Sequence, residues 1–499
     1  MDSLRWLPCF LFLLVLAQAL LLITRRKGRT DKRPPGPAPI PIFGNLFQLG
    51  NNPHKSLSKL AKTHGPIMTL KLGQTTTVVF SSATLAKEIL QKHDLAFCNR
   101  TIPDAVRALQ HHEAGMPWMP VSTTWRNLRK ICNLHIFASQ KLDANQYLRH
   151  RKVQELLADV HDSFRMGEAI DIGQAAFKAA LNLMSNTVFS IDLADSTSDT
   201  ALEFRELVQC IKEELGKPNL GDYFPCLFGN LDLQGIRRGM TIHFGKLMDL
   251  FDRIIDKRLQ LRTMNDYIST NDFLDNLLNF KEENSAELDR DLIKHLLLDL
   301  FTAGTETTAS TLEWAMAELL HNPKALLEVQ RELKQSIGER TLVEESDVAC
   351  LPYLQAIVKE TLRLHPPVPL LLPRKAGEDV EIHNFIVPKG AQVLVNAWAI
   401  GRDPTIWEEP DLFLPKRFLG SEVDIRGRDF GFIPFGAGRR ICPGLPLAMR
   451  MVHLMLGGLI HSFDWKLEDG VTPERLDMED KFGLVLYKAQ PLRAIPISI

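Results

Sequence analysis

The sequence predicts a mainly α-helical fold with a smaller β-rich region and an N-terminal transmembrane helix. Three observations predict it: apolar residues recur at helical spacing through most of the chain, two stretches carry β-type alternation or turn residues, and an uncharged apolar run stands near residue 1. The 499 residues carry 59 Lys and Arg against 60 Asp and Glu, a formal net charge of −1. That balance offers nothing to bulk nucleic-acid binding, and no nucleic-acid partner is expected. Cysteines at 9, 98, 132, 210, 226, 350 and 442 are odd in number, scattered and without CxxC pairs. This argues against a disulfide framework or a zinc site and for a reducing compartment.

Residues 6–23 are apolar apart from Pro8 and Gln18 and would rise roughly 27 Å as a helix, enough for a bilayer core. Arg25, Arg26, Lys27, Arg29, Lys32 and Arg33 follow, an asymmetry that places the body of the chain in the cytoplasm. A cleaved secretory signal is the alternative; the long apolar run, the lack of a clear small-x-small cleavage site and the trailing basic cluster favour an anchor. The chain thus divides into an anchor (1–24), a basic and proline-rich linker (25–40) and one folded body (41–499). Pro34-Pro35-Gly36-Pro37-Ala38-Pro39 makes the linker stiff and extended. Residues 66–81 alternate and turn near Gly73-Gln74, as a β-hairpin does. Helical spacing returns over 84–93, and amphipathic helices are expected over 139–165, 167–190, 201–215, 240–263, 291–320 and 323–337. Residues 262–272 form a polar loop, 380–399 a second β patch turning at Pro388-Lys389-Gly390, and 445–463 an apolar helix.

Phe435-Gly436-Ala437-Gly438-Arg439-Arg440-Ile441-Cys442-Pro443-Gly444 carries the most specific signal. A cysteine directly before a helix meets free N–H groups and a positive dipole end, and Arg440 adds a cation; all favour the thiolate. The glycines at 436, 438 and 444 allow tight turns and close approach to a flat ligand. Arg440 can offer a planar fork of donors to a carboxylate. Trp125 and Arg129 stand four apart, on one helix face. In Ala303-Gly304-Thr305-Glu306-Thr307-Thr308, glycine costs a helix roughly 1 kcal/mol, and threonine hydroxyls that bond back to a carbonyl bend it further. Glu306 and Thr307 set an acid beside a hydroxyl at that weakened turn. Glu360 and Arg363 share a helix face, and Phe413-Leu414-Pro415-Lys416-Arg417-Phe418 follows downstream.

The pattern Phe-x-x-Gly-x-Arg-x-Cys-x-Gly, with these further motifs, resembles the cytochrome P450 family of haem-thiolate monooxygenases over essentially the whole chain. The resemblance implies haem b, with Cys442 as the metal ligand inside a loop built on Phe435, Gly438 and Gly444. It implies that Trp125, Arg129, Arg374 and Arg440 reach the haem propionates. Glu306 and Thr307 become a proton relay serving O2, and Glu360, Arg363 and Arg417 a buried structural network. Lys416 stands where the family commonly has glutamate. Substrate contacts fall to residues 103–121, Leu300, Ala303, Val368 to Leu371, and Phe482 to Leu484. No flavin or nicotinamide fingerprint is present, so NADPH-derived electrons are expected from NADPH–cytochrome P450 reductase, docking on Arg126, Lys130 and Arg439. The implied setting is the endoplasmic reticulum membrane, with one span and a cytosolic catalytic body.

Pro35-Gly36-Pro37, Phe43-Gly44-Asn45, Ser310-Thr311-Leu312-Glu313-Trp314-Ala315 and Lys481-Phe482-Gly483-Leu484 resemble plant terpenoid hydroxylases of that family. The implied substrate is a small lipophile, such as a monoterpene alcohol or an abietane-type diterpene. The alternatives are an alkaloid or phenolic oxidase, an oxygen-independent haem isomerase, and a catalytically silent haem-binding membrane protein. Glu306 and Thr307 count against the last two.

Overall fold

Among the described residues, twelve helices of ten residues or more frame the body: α1 (Pro53–His64), α2 (Thr123–Cys132), α3 (Gln146–Met166), α4 (Ile172–Phe189), α5 (Asp199–Gly216), α6 (Ile236–Arg262), α7 (Phe273–Glu283), α8 (Arg290–Gly304), α9 (Glu306–His321), α10 (Pro323–Ile337), α11 (Pro352–Leu364) and α12 (Leu445–Ser462). This computed structural model describes residues 32–498 apart from 195–198, 230, 265, 266, 268, 271, 284–287, 339, 341 and 469. The expected anchor, and the linker up to residue 31, lie outside the described residues. Among the described residues no helix is long and apolar enough to cross a membrane.

α9 is the centre of the largest core. Almost every side chain from Thr308 to Leu320 is buried, and the helix packs on α4, α10, α11 and α12. A helix covered on all sides has no solvent face to keep polar, which accounts for Leu312, Trp314, Ala315, Met316, Ala317 and Leu319; the two acids among them, Glu313 and Glu318, are buried with hydrogen-bond partners, Leu492 N–H and His365. α10 and α11 both start with proline, whose missing N–H is one of the unsatisfied donors of a first turn. α11 ends before His365-Pro366-Pro367, because the residue before a proline disfavours helical backbone.

The structure divides two of the expected helices. Residues 139–165 break at Asn145, between Ser139–Ala144 and α3. Residues 291–320 break at Thr305, where φ is −98° and ψ −61°. There Thr305 Oγ1 donates to the Phe301 carbonyl (2.9 Å), Thr307 Oγ1 to Ala303 (2.9 Å) and Thr308 Oγ1 to Gly304 (3.3 Å). These hydroxyls compete with main-chain N–H groups for the same carbonyls, next to a glycine.

The hairpin Ile67–Leu72/Thr75–Phe80 pairs Leu72 with Thr75 across Gly73-Gln74. Gln392–Val395 adds in parallel to the second strand, followed by Arg374–Lys375 and Asn99–Arg100, both antiparallel. Arg100 thereby sits directly opposite Arg374. The expected β patch is more broken than its sequence suggests. Val380–Ile382 and Phe385–Val387 turn at His383-Asn384, both with positive φ, before the Pro388-Lys389-Gly390 turn leads to Gln392–Val395. Ala397–Ile400 is a short helix capped by the Asn396 side chain.

A buried ionic network ties α11 to the segment that precedes the cysteine loop. Both oxygens of Glu360 are used by Arg363, at 2.7 and 2.8 Å, and Oε1 also accepts from Arg417 Nε (3.0 Å) and Leu414 N–H (2.8 Å). Arg363 Nη1 donates to the Gly401 and Pro410 carbonyls (2.6 Å each), and Arg417 Nη1 to Glu408 (2.7 Å). Lys416 turns outward to Glu328, at 3.0 Å. Buried ion pairs rarely stabilise more than a good apolar contact, but removing one partner strands the other charge. Glu360→Ala is therefore expected to cost roughly 3–5 kcal/mol. Glu360→Gln, which keeps an acceptor, should cost less. Denaturant unfolding and soluble yield of the three proteins check this; equal stability of Glu360→Ala and parent would remove the network from its structural role.

Candidate functional site

One cavity of about 340 Å³ is bordered by α2, α8 and α9, by the 106–118 and 367–374 segments, and by the cysteine loop. Cys442 faces into it. The loop closes through Cys442 N–H donating to the Phe435 carbonyl (3.0 Å), and α12 starts three residues on. Gly436 and Gly438 have positive φ, the condition that favours glycine. A Cβ on Gly438 would lie 2.0 Å from the Leu90 carbonyl oxygen, so its close approach is to the main chain of residue 90, and Gly438 is not a lining residue. Phe435 and Gly444 do line the cavity.

Cys442 is accessible from this cavity, yet the surrounding protein desolvates it. Burial pushes its thiol pKa up, while the N–H groups of Gly444 and Leu445 and the charge of Arg129 pull the other way. Arg129 is the cation whose charge acts on the sulfur. A thiol in this position becomes a thiolate when a metal ion takes the proton's place.

Arg440 belongs to a second feature. Together with Arg100 and Arg374 it is buried at the same cavity. Arg100 donates to the carbonyls of Pro117 (3.2 Å) and Leu372 (2.8 Å), and Arg374 to Phe97 (3.1 Å). Arg440 donates to Cys98 (3.0 Å), Met116 (3.1 Å) and Met119. Among the described residues, no carboxylate is hydrogen-bonded to any of the three. Burial lowers all three pKa values, well below the ordinary range for Arg100 and to about 10 for Arg374 and Arg440; the neighbouring arginines lower Arg100 and Arg440 further. A desolvated cluster of cations satisfied only by carbonyls fits a ligand bearing carboxylates. The site therefore fits a haem by two independent features, a thiol at one wall and a receptor for its acid groups at another.

Trp125 also lines the cavity, but its indole N–H already donates to the Met116 carbonyl (3.1 Å). Its ring is a platform instead, 4.8 Å from the Arg440 guanidinium carbon and 5.9 Å from that of Arg129. Arg129 lines the cavity and donates to the Ile441 carbonyl.

Leu300, Ala303, Val368, Leu371 and Leu484 all line the cavity, as does Thr307. Phe482 does not; it stacks on His54 at 5.7 Å. The structure also separates Glu306 from Thr307. Glu306 is not a lining residue: its carboxylate pairs with Lys212 of α5 at 3.0 Å. The ammonium of Lys212 lies 4.4 Å over the Tyr487 ring, and burial together with the nearby Glu306 charge pushes the Tyr487 phenol up. Successive helical residues point about 100° apart, so an acid and a hydroxyl at adjacent positions cannot share one face. On the outer side, Arg439 pairs with Asp94 (2.7 Å), while Arg126 and Lys130 are exposed.

Sequence reasoning missed Arg100 and Asp299, both lining residues; His111, the partner of Asp299, falls within the expected 103–121 contact segment. Asp299 had a signal, a lone acid inside Leu296-Leu297-Leu298-Asp299-Leu300-Phe301. Arg100 had none, because only strand pairing brings it to Arg374.

The chain matches the cytochrome P450 family model over residues 34–493. It is 55% identical over 499 residues to geraniol 8-hydroxylase of Catharanthus roseus, covering 100% of both chains. Against geraniol 8-hydroxylase of Swertia mussotii it is 56% identical over 486 residues, 97% of each. A zebrafish cytochrome P450 solved with progesterone superposes with a TM-score of 0.76 at 25% identity, over 89% of this chain and 99% of that one. A thiol and an arginine receptor on one cavity, a mainly helical fold and a match of this length agree: the chain belongs to the cytochrome P450 family.

Proposed function

We propose that this protein is a membrane-anchored haem-thiolate monooxygenase that hydroxylates a small terpenoid, with an acyclic monoterpene alcohol such as geraniol as the first candidate. One observation carries the reading: Cys442 and the unneutralised arginines Arg100, Arg374 and Arg440 face a single cavity whose remaining walls are mostly apolar. Cys442 would hold the iron of haem b, and the three arginines with Arg129 would hold its propionates. When bound, the haem supplies activation of O2 for insertion of one oxygen atom into a C–H bond.

The chain's own residues do the rest. Leu300, Ala303, Val368, Leu371 and Leu484 exclude water and orient a lipophile. Thr307, on the cavity face of the broken helix, offers a hydroxyl that hands a proton inward. Glu306 acts one step behind it, through Lys212 and solvent. Electrons come from NADPH–cytochrome P450 reductase, with exposed Arg126 and Lys130 as part of its docking face; Arg439, paired with Asp94, contributes less.

The anchor over 1–24, the linker over 25–40 and the catalytic body over 41–499 complete the proposal, in the endoplasmic reticulum membrane. An apolar surface supports membrane contact by the body as well. Phe47, Leu227, Leu231 and Leu233 are all more than half exposed, and Phe43 links the two segments by contacts with Phe47 (5.2 Å) and Phe224 (6.3 Å). Monomeric surfaces rarely keep such a patch in water.

Cys442→Ser is expected to abolish the red-shifted ferrous–CO band of a thiolate-ligated haem, while serine at each of the other six cysteines leaves it intact. Absorption difference spectra read this directly, and a normal band in Cys442→Ser would remove the iron ligand. Thr307→Ala should keep haem and substrate binding while product formed per NADPH consumed falls roughly tenfold and hydrogen peroxide rises, since a positioned proton donor is lost. Unchanged coupling would mean that solvent alone delivers the protons.

A further inference from the structure

Asp299 is the one acidic side chain among the cavity's lining residues, and nothing proposed above uses it. It is 4% exposed, on α8 in an otherwise apolar run. Its Oδ2 accepts from Met116 N–H (2.7 Å) and its Oδ1 lies 3.0 Å from Nε2 of His111. His111 is also buried; its Nδ1 lies 2.8 Å from Nδ1 of His295, and its ring packs on Phe244 at 5.2 Å. A proton on His111 Nε2 serves Asp299 and leaves Nδ1 to accept from His295, which burial keeps neutral, down to about 4.

This accounting leaves capacity on one group. A carboxylate has about four lone-pair positions, and Asp299 uses two. The neighbouring hydroxyls are engaged within their own helix, Thr302 with the Leu298 carbonyl (2.8 Å) and Thr307 with Ala303 (2.9 Å). Burial pushes the Asp299 carboxyl up, against the pull of His111 and of Met116 N–H, so a further donor would relieve a desolvated acceptor.

We propose that Asp299, held in place by His111, accepts a hydrogen bond from the hydroxyl group of an alcohol substrate and so sets both substrate class and the carbon oxidised. The proposal rests on the monooxygenase reading above. Asp299 precedes Thr307 by eight residues, roughly 12 Å along the helix direction. An extended acyclic alcohol anchored at Asp299 therefore brings its far end, not its hydroxyl end, towards Thr307. An ammonium ligand fits less well, because the positive side of His111 already faces the carboxylate.

The test titrates geraniol, geranyl methyl ether and geranylamine into the full-length, haem-loaded protein and reads the haem absorption shift. Geraniol should bind on the order of tenfold more tightly than the ether, which keeps the skeleton but has no O–H to donate. Asp299→Asn, which still accepts from Met116 N–H, should bring the two within about twofold by weakening geraniol alone. Equal binding of alcohol and ether by the parent overturns the anchor and leaves the terpenoid reading standing. So does an unchanged ratio in Asp299→Asn, or tightest binding by the amine with a shift of the same sign as the alcohol's, since an amine bound to the iron itself shifts the band the opposite way. No shift with any of the three, in protein with an intact CO band, overturns the anchor and the acyclic monoterpene alcohol as substrate together. Should Asp299→Asn fail to take up haem, the parent's alcohol-to-ether ratio still decides.

Discussion

Arg100, Arg374 and Arg440 are buried together at one wall of the cavity, and the rest of the site answers to a cluster of positive charge that no carboxylate among the described residues meets with a hydrogen bond. Like charges directly opposite on paired strands ordinarily destabilise a sheet, and Arg100 faces Arg374 in just that register. Main-chain carbonyls satisfy the N–H groups but carry only partial charge. A ligand with carboxylates compensates the cluster, so binding energy for the cofactor is stored in the folded protein. The same logic applies at Cys442, where desolvation pushes the thiol up and a bound metal would take the proton's place.

Three devices hold this arrangement. The strand pairs Asn99–Arg100 with Arg374–Lys375 and Arg374–Lys375 with Gln392–Val395 fix two of the arginines. Trp125 lies beneath Arg440 and Arg129 and so couples α2 to the cysteine loop. Glu360 joins Arg363 to Arg417 and pins the polypeptide that runs towards Cys442. On the opposite wall the fold gives up regularity instead: the helix breaks at Thr305, and its threonine hydroxyls take carbonyls that an unbroken helix would keep. Rigid donors on one side and a weakened turn on the other suit a bound planar group with a small space above it.

Much of this was legible in the sequence because it is local. Alternation across Gly73-Gln74 marked the hairpin, and the Gly-Thr run marked the weakened turn at which the structure breaks the helix. The glycine–arginine–cysteine loop pointed to its ligand. What escaped depends on distance in the chain. Arg100 acquires its meaning 274 positions later, at Arg374. The adjacency of Glu306 and Thr307 suggested a pair, yet helical rotation sends one to Lys212 and the other to the cavity. Gly438 was read as space for a cofactor, whereas the atom it makes room for is the Leu90 carbonyl oxygen. In each case residue type indicated the chemistry, and only the fold decided its direction.

Insertion of one atom of molecular oxygen into a terpenoid is the reaction this cavity supports. Its most direct test supplies isotopically labelled O2 to the full-length protein with NADPH–cytochrome P450 reductase, NADPH and geraniol, and reads the products by mass spectrometry. The account predicts a hydroxylated product carrying one labelled oxygen, dependent on NADPH. Oxygen derived from water, or NADPH consumed with only peroxide formed from every terpenoid offered, would contradict it.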